Sequence, residues 1–147
     1  LAPYVNSYRR LTQGGSAPVN THWGYDNRNT AFRVPRSDPS SRRVENRIPS
    51  SDANPYLAIA ASLACGYLGM AQGLEPTEPV KGSAYRLAFT LPRHQGDALQ
   101  KFNACKPLKE ILGEKFVDAV TCVKQAEYEA YHRVISSWER ENLLLNV

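Results

Sequence analysis

The chain has 147 residues, 42% of them hydrophobic, and a formal net charge of +4. It is long enough for one domain with its own core and too apolar for a disordered chain. Cys65, Cys105 and Cys122 cannot all pair and show no metal-ligand spacing, which argues against a disulfide scaffold and for reduced thiols in a cytoplasmic protein.

The first 48 residues combine turn formers with β-branched and aromatic residues, and Pro3, Pro18, Pro35 and Pro49 limit each run. Short strands and loops are expected there. Gln13, Gly14, Gly15 and Ser16 form a mobile loop suited to gating or simply to connection. Residues 1–47 hold eight arginines and no lysine against Asp26, Asp38 and Glu45, a net of +5, whereas the remainder nets −1 and holds all six lysines. A local, lysine-free arginine block favours planar anions, because the guanidinium fork grips phosphate or carboxylate with two hydrogen bonds; the plainer reading is structural ion pairing. Within the block Arg43, Glu45 and Arg47 alternate with Val44, Asn46 and Ile48. On a strand the three charged residues share one face and line a cleft, and the plus, minus, plus row suits a metal-bound polyphosphate.

Ser50, Ser51 and Asp52 offer caps, Pro55 suits a first helical turn, and a helix is predicted from near Asn54 to Ala71. No charge occurs from Ala53 to Leu74. That run reaches membrane-span length, but its alanines, Asn54, Ser62, Gly66, Gly69 and Gln72 point to burial in a protein core rather than lipid. Glu75–Arg93 reads as a loop-rich connection. A second helix is predicted from Asp97 to about Asn103, continuing past a break at Pro107 to Leu112, and Gly113 separates it from a third. In the third, Phe116, Ala119, Val120, Val123, Ala130, Tyr131 and Val134 recur at helical spacing and read as a core stripe. The closing segment, Trp138 to Val147, is apolar enough to dock.

The residues Asn6-Ser7-Tyr8-Arg9-Arg10-Leu11, the Gly15-Ser16-Ala17-Pro18 loop, Asn27-Arg28-Asn29-Thr30-Ala31, Arg33-Val34-Pro35, Arg42-Arg43-Val44-Glu45-Asn46-Arg47 and Asp52-Ala53-Asn54-Pro55-Tyr56-Leu57-Ala58 resemble, in order and spacing, the successive catalytic-domain motifs of the glutamine synthetase superfamily. The resemblance is strong over residues 1–75 and looser beyond. It implies an α+β fold, with short antiparallel strands followed by packed helices, forming the C-terminal part of the catalytic domain. It also implies an ATP-dependent ligase that phosphorylates the side-chain carboxylate of glutamate and lets an amine or ammonia displace phosphate. Arg10 and Arg47 would then hold the glutamate carboxylate. Arg28, Arg33 and Arg43 would contact ATP phosphates or the transferred phosphoryl group, with Arg28 and Arg33 closest to the chemistry. Glu45 would ligate Mg2+ or Mn2+.

Ammonia-using members carry a glutamate before the Ala-Pro pair of the mobile loop, where this chain has Ser16. A neutral residue leaves room for a larger amine, and His22, Trp23 and Tyr25 would wall a cationic one, with Trp23 and Tyr25 as its pocket. That is similar to the γ-glutamylpolyamine and γ-glutamylputrescine synthetase branch; a true glutamine synthetase with a substituted loop, in which Trp23 is core, is the alternative. Phe89 stands near Leu91-Pro92 where some bacterial members carry a modifiable tyrosine, so that control is not expected, and a family lysine is replaced in the Ser40-Ser41 stretch. The resemblance further implies an N-terminal β-grasp domain and upstream metal ligands not found before Leu1, so the chain is expected to be an inactive fragment of a double-ring homo-oligomer. A non-catalytic structural homologue remains open. No membrane or nucleic-acid partner is expected, the latter for want of a groove-reading or zinc motif.

Overall fold

A computed structural model describes residues 1–146. Val147 lies outside the described residues. A six-residue 3-10 helix, Val5–Arg10, opens the chain. It precedes three short strands, β1 (Trp23–Tyr25), β2 (Phe32–Val34) and β3 (Glu45–Asn46). Five helices follow: α1 (Pro55–Ala71), α2 (Gln95–Ala104), α3 (Lys106–Leu112), α4 (Glu114–His132) and α5 (Ser137–Asn142). Strands thus precede helices, in the α+β order expected.

The sheet runs β1-β2-β3, with β2 central. β2 and β3 are antiparallel, but β1 and β2 run parallel, with Gly24 beside Arg33, so this pair departs from the expected antiparallel arrangement. The reason lies in the connection, whose Asp, Asn and Thr residues read like a hairpin turn. Instead of reversing the strand, the connection loops back to the start of β1, so that Ala31 and Phe32 both donate their backbone N–H to the His22 carbonyl. Side chains hold this return: Thr30 Oγ1 donates to the Asn27 carbonyl at 2.8 Å, and Asn27 Oδ1 accepts from the Asn29 N–H at 3.1 Å. The outer edge of β1 is covered by the segment after α1, because Val80 N–H donates to the Trp23 carbonyl at 2.9 Å. Asn27 Nδ2 donates to the Gly82 carbonyl at 2.8 Å on the same side. Covering removes an unpaired sheet edge. It also explains Gly24, where a Cβ would come within 2.9 Å of the Val80 carbonyl oxygen.

The buried core is small and contributed by loops as much as by helices: Leu11, Ala17, Val19, Ala31, Ala64, Ala84, Leu91, Leu99 and Val117. α2 packs on α4, and α3 bridges α1 and α4. Helix α1 begins where predicted because Asn54 accepts from the N–H groups of Tyr56 and Leu57 and Pro55 occupies the first turn. Asn54→Ala should cost about 1 kcal/mol of stability, the usual worth of such a cap, read as a shift in the urea midpoint.

Burial of α1 is not what the structure shows. Of its residues only Ala64 is buried, while Tyr56, Ile59, Leu63, Tyr67 and Met70 stand exposed at three- and four-residue spacing, Tyr56 at 82%. The α4 stripe is not core among these residues either: Phe116, Ala119, Val123, Ala130, Tyr131 and Val134 are exposed and Val120 is half-buried, while the buried residue of the helix, Val117, lies outside the predicted stripe. Nor does the closing segment dock within this chain, since Trp138, Leu144 and Leu145 are exposed. Each apolar face is present, yet the surfaces that would cover it are not supplied by the described residues.

Candidate active site

Antiparallel pairing sets Arg33 on β2 directly opposite Glu45 on β3, and cross-strand partners share a face. Arg33 Nη1 donates to both Glu45 oxygens, at 2.9 and 3.1 Å, and its Nη2 donates to Asp26 Oδ1 at 3.1 Å. Asp26 sits just past β1 in a left-handed conformation (φ 47°). Three strands thereby meet at one guanidinium. Arg47 approaches the other side of Glu45 at 3.6 Å and donates through Nη2 to the Ser16 carbonyl at 3.0 Å. Ser16 is exposed and also left-handed (φ 52°). The turn-rich loop is therefore tied at its end to the arginine row.

Arg10 reaches the same region from the 3-10 helix. Its Nη2 donates to three successive backbone carbonyls, Arg47 at 3.1 Å, Ile48 at 2.6 Å and Pro49 at 3.0 Å. Burial, with the neighbouring Arg47 charge, pushes the Arg10 pKa down, and Asp52 opposes this. Asp52 is itself the hub between helix and loop, accepting from Ser7 Oγ at 2.8 Å and from Ser50 Oγ.

The plus, minus, plus row is thus present in part. The strand spans only Glu45–Asn46, with Glu45 flanked by Arg33 and Arg47, while Arg43 lies outside it, exposed, with one long bond to the Ser41 carbonyl at 3.4 Å. Arg28 is exposed and joins none of the ion pairs of this cluster. Trp23 and Tyr25 meet edge to face at 5.4 Å, but Trp23 Nε1 donates to the Thr77 carbonyl at 2.6 Å, so Trp23 also anchors the segment covering β1. Sequence reasoning missed Asp26 as a partner of Arg33 and the Asp52–Ser7 link; an acidic residue at a strand end beside an arginine block was the available signal for the first.

The Nε atoms of Arg10, Arg33 and Arg47 are buried and lack an acceptor among the described residues. A buried donor without a partner carries a cost, and here these three donors all belong to guanidiniums of the cluster. The residues present do not make a divalent-cation site. Such an ion takes about six oxygen ligands, whereas both Glu45 oxygens accept from Arg33 and no group of three or more His, Cys, Asp or Glu residues converges among the described residues.

The Arg33 fork, above all through its hydrogen bonds, holds the Glu45 carboxyl below its ordinary value of 4.5. A depressed folded-state pKa stabilises the fold fully above the unfolded value and ceases to do so as pH falls through the folded one. Asp52, held down chiefly by Ser50 and then by Ser7, acts in the same direction. The melting temperature should therefore fall on acidification below about pH 4.5, and Glu45→Gln should remove part of that dependence in a pH series of thermal melts.

No helix among the described residues is long and apolar enough to cross a membrane. The family described as "Glutamine synthetase, catalytic domain" matches residues 1–143. The chain is 38% identical over 150 residues to type-1 glutamine synthetase 2 of Dictyostelium discoideum, covering 98% of this chain and 29% of that protein. It is 38% identical over 147 residues to gamma-glutamylputrescine synthetase of Escherichia coli, covering 99% of this chain and 31% of that one. Among solved structures, a GmaS/ADP complex superposes with a TM-score of 0.84 at 32% identity, over 97% of this chain and 35% of its own. The chain spans about a third of the length of the relatives it matches.

Proposed function

The chain belongs to the glutamine synthetase catalytic-domain family, and from that premise we propose that it supplies the arginine-rich wall of an ATP-dependent ligase joining glutamate to an amine. The relatives include a glutamine synthetase and ligases named for larger amines, putrescine and isopropylamine. The observation that carries the reading is the pairing of Arg33 and Arg47 on the Glu45 carboxylate, with Arg10 gripping the backbone that carries Arg47. The ADP in the GmaS complex supports a nucleotide as one substrate.

In this reading the exposed guanidiniums of Arg28 and Arg43 take phosphate oxygens of ATP, and Arg33, fixed by Glu45 and Asp26, presents its remaining donor to the transferred group. Phosphoryl transfer asks chiefly for positioning and positive charge, which fixed arginines supply without reorganising. Arg47 meets the glutamate carboxylate. Arg10 positions Arg47 by gripping the backbone at residues 47–49, and its own glutamate contact rests on the donors that Nη2 leaves free. An oxygen of the substrate side-chain carboxylate takes the γ-phosphoryl group, releasing ADP. The amine nitrogen then attacks the acyl carbon, phosphate leaves, and the nitrogen gives up a proton as the amide forms. Glu45, both of whose oxygens accept from Arg33, fixes that guanidinium rather than ligating a metal ion.

Ser16 favours a larger amine over ammonia. It is the loop residue whose carbonyl meets Arg47, and it brings no carboxylate to deprotonate ammonium, a task that an amine with a suitably lowered pKa meets by itself. The exposed face of α1 and the one-third coverage of relatives support action within a longer polypeptide, this chain alone being inactive. The acyl phosphate is the step to test: hydroxylamine should trap it as a γ-glutamyl hydroxamate only when ATP and glutamate are both present. Hydroxamate formed without ATP would refute the reading.

A further inference from the structure

A two-lobed cleft opens between the 3-10 helix, the start of α2 and the end of α4. One lobe, of about 310 Å³, is lined by Tyr8, Arg9, Arg93, His94, Tyr128 and His132 among others. The second, of about 330 Å³, shares Val5, Arg9, Gln95 and Tyr131 with the first and adds Tyr4 and Asn6. None of these residues belongs to the arginine–carboxylate cluster described above. We propose that this cleft binds a phosphate monoester carried on a planar ring, the phosphate in the first lobe and the ring against Tyr131 and Tyr4.

Charge and geometry both favour that class. Arg9, Arg93, His94 and His132 bring two permanent cations and two imidazoles to the first lobe from three sides, and its lining contains no carboxylate, Asp97 acting on Tyr8 from outside it. Glu127, in the second lobe, is paired with Lys124 at 2.8 Å. Lys124 in turn lies 4.1 Å from the Tyr4 ring centre, so the second lobe is aromatic, with Arg9 as its one unpaired charge among the described residues, at the boundary with the first. The start of α2 contributes His94 and Gln95 to the lining, and the N-cap, His94, makes no side-chain bond to the N–H groups of the first turn. Gly96 permits the approach of the opposite wall, since a Cβ there would lie 3.1 Å from the Tyr128 ring and hydroxyl. Tyr128 and His132 meet edge to face at 4.3 Å and hold each other in place. Burial, helped by Asp97, raises the Tyr8 pKa to about 12, so its hydroxyl stays a donor throughout the neutral range. A free phosphate would use only the first lobe, and an aromatic carboxylate would have one oxygen too few for the donors there. Ring and phosphate together match the two lobes.

Phenyl phosphate is the probe, with inorganic phosphate and benzoate as its halves, titrated into the isotope-labelled full chain. The backbone amides of Gln95, Gly96 and Asp97 should shift and saturate with phenyl phosphate at about millimolar concentration or lower, about tenfold below either half. The exposed pair of substitutions Arg9→Gln and Arg93→Gln should weaken this about tenfold or more, and Tyr131→Ala should abolish the advantage of phenyl phosphate over inorganic phosphate. Equal binding of benzoate, unchanged binding in the double variant, or shifts confined to amides near Arg28 and Arg43 would each overturn the assignment.

Discussion

Arg47→Ala in the full-length protein should reduce kcat/KM for glutamate by about a hundredfold to a few thousandfold while the fold survives, as expected when one partner of a charge-assisted carboxylate contact, worth about 2–5 kcal/mol, is removed. The structure explains why the loss should be functional rather than structural. Arg47 holds only a 3.6 Å approach to Glu45 and one bond to the Ser16 carbonyl, whereas Glu45 keeps its two-point grip on Arg33 without it. Far-ultraviolet circular dichroism and the urea midpoint should change little, and initial rates against glutamate concentration should show the defect. A lysine at 47 should restore only a small part, because a point charge cannot reproduce the planar fork. Wild-type kinetics in the alanine variant would remove Arg47 from the site.

Arg10→Ala should do both kinds of damage. It deletes three hydrogen bonds from one nitrogen to the carbonyls of Arg47, Ile48 and Pro49 and leaves Asp52 without its cationic neighbour. Loss of such a partly buried charged network costs about 2–4 kcal/mol, read as a lower urea midpoint. Turnover should fall in parallel, since residues 47–49 lose the clamp that aims Arg47. The pairing of the two effects is diagnostic: if glutamate KM rises while the midpoint stays put, Arg10 acts by touching substrate and not by positioning its neighbour.

Residue chemistry near the site was largely legible in the sequence, and geometry less so. The arginine block, the glutamate within it and the loop ending at Ser16 follow from charge distribution and residue type, and the structure brings Arg10, Arg33, Glu45, Arg47 and Ser16 into one cluster. What alternation along residues 43–48 could not reveal is that Glu45 is gripped chiefly from β2, because strand pairing is a long-range property that local period does not encode. The parallel β1–β2 pair escaped for the same reason: Asn27 and Thr30 favour a tight return through side-chain bonds that resemble a hairpin turn in composition. Helix α1 illustrates the opposite case. Asn54 and Pro55 set its start, but its burial rests on apolarity alone, and apolarity states a need for a partner without naming where that partner is. With Tyr56, Leu63 and Met70 exposed here, no surface among the described residues meets that need.

The identity of the nucleophile is the centre of the account, and phosphate release by the intact enzyme with ATP, magnesium and glutamate measures it directly. Putrescine, spermidine or a monoamine should drive release under conditions in which ammonium alone does not. Ammonium-driven release that equals or exceeds release with every amine would contradict the reading of Ser16 and make the enzyme a glutamine synthetase with an altered loop.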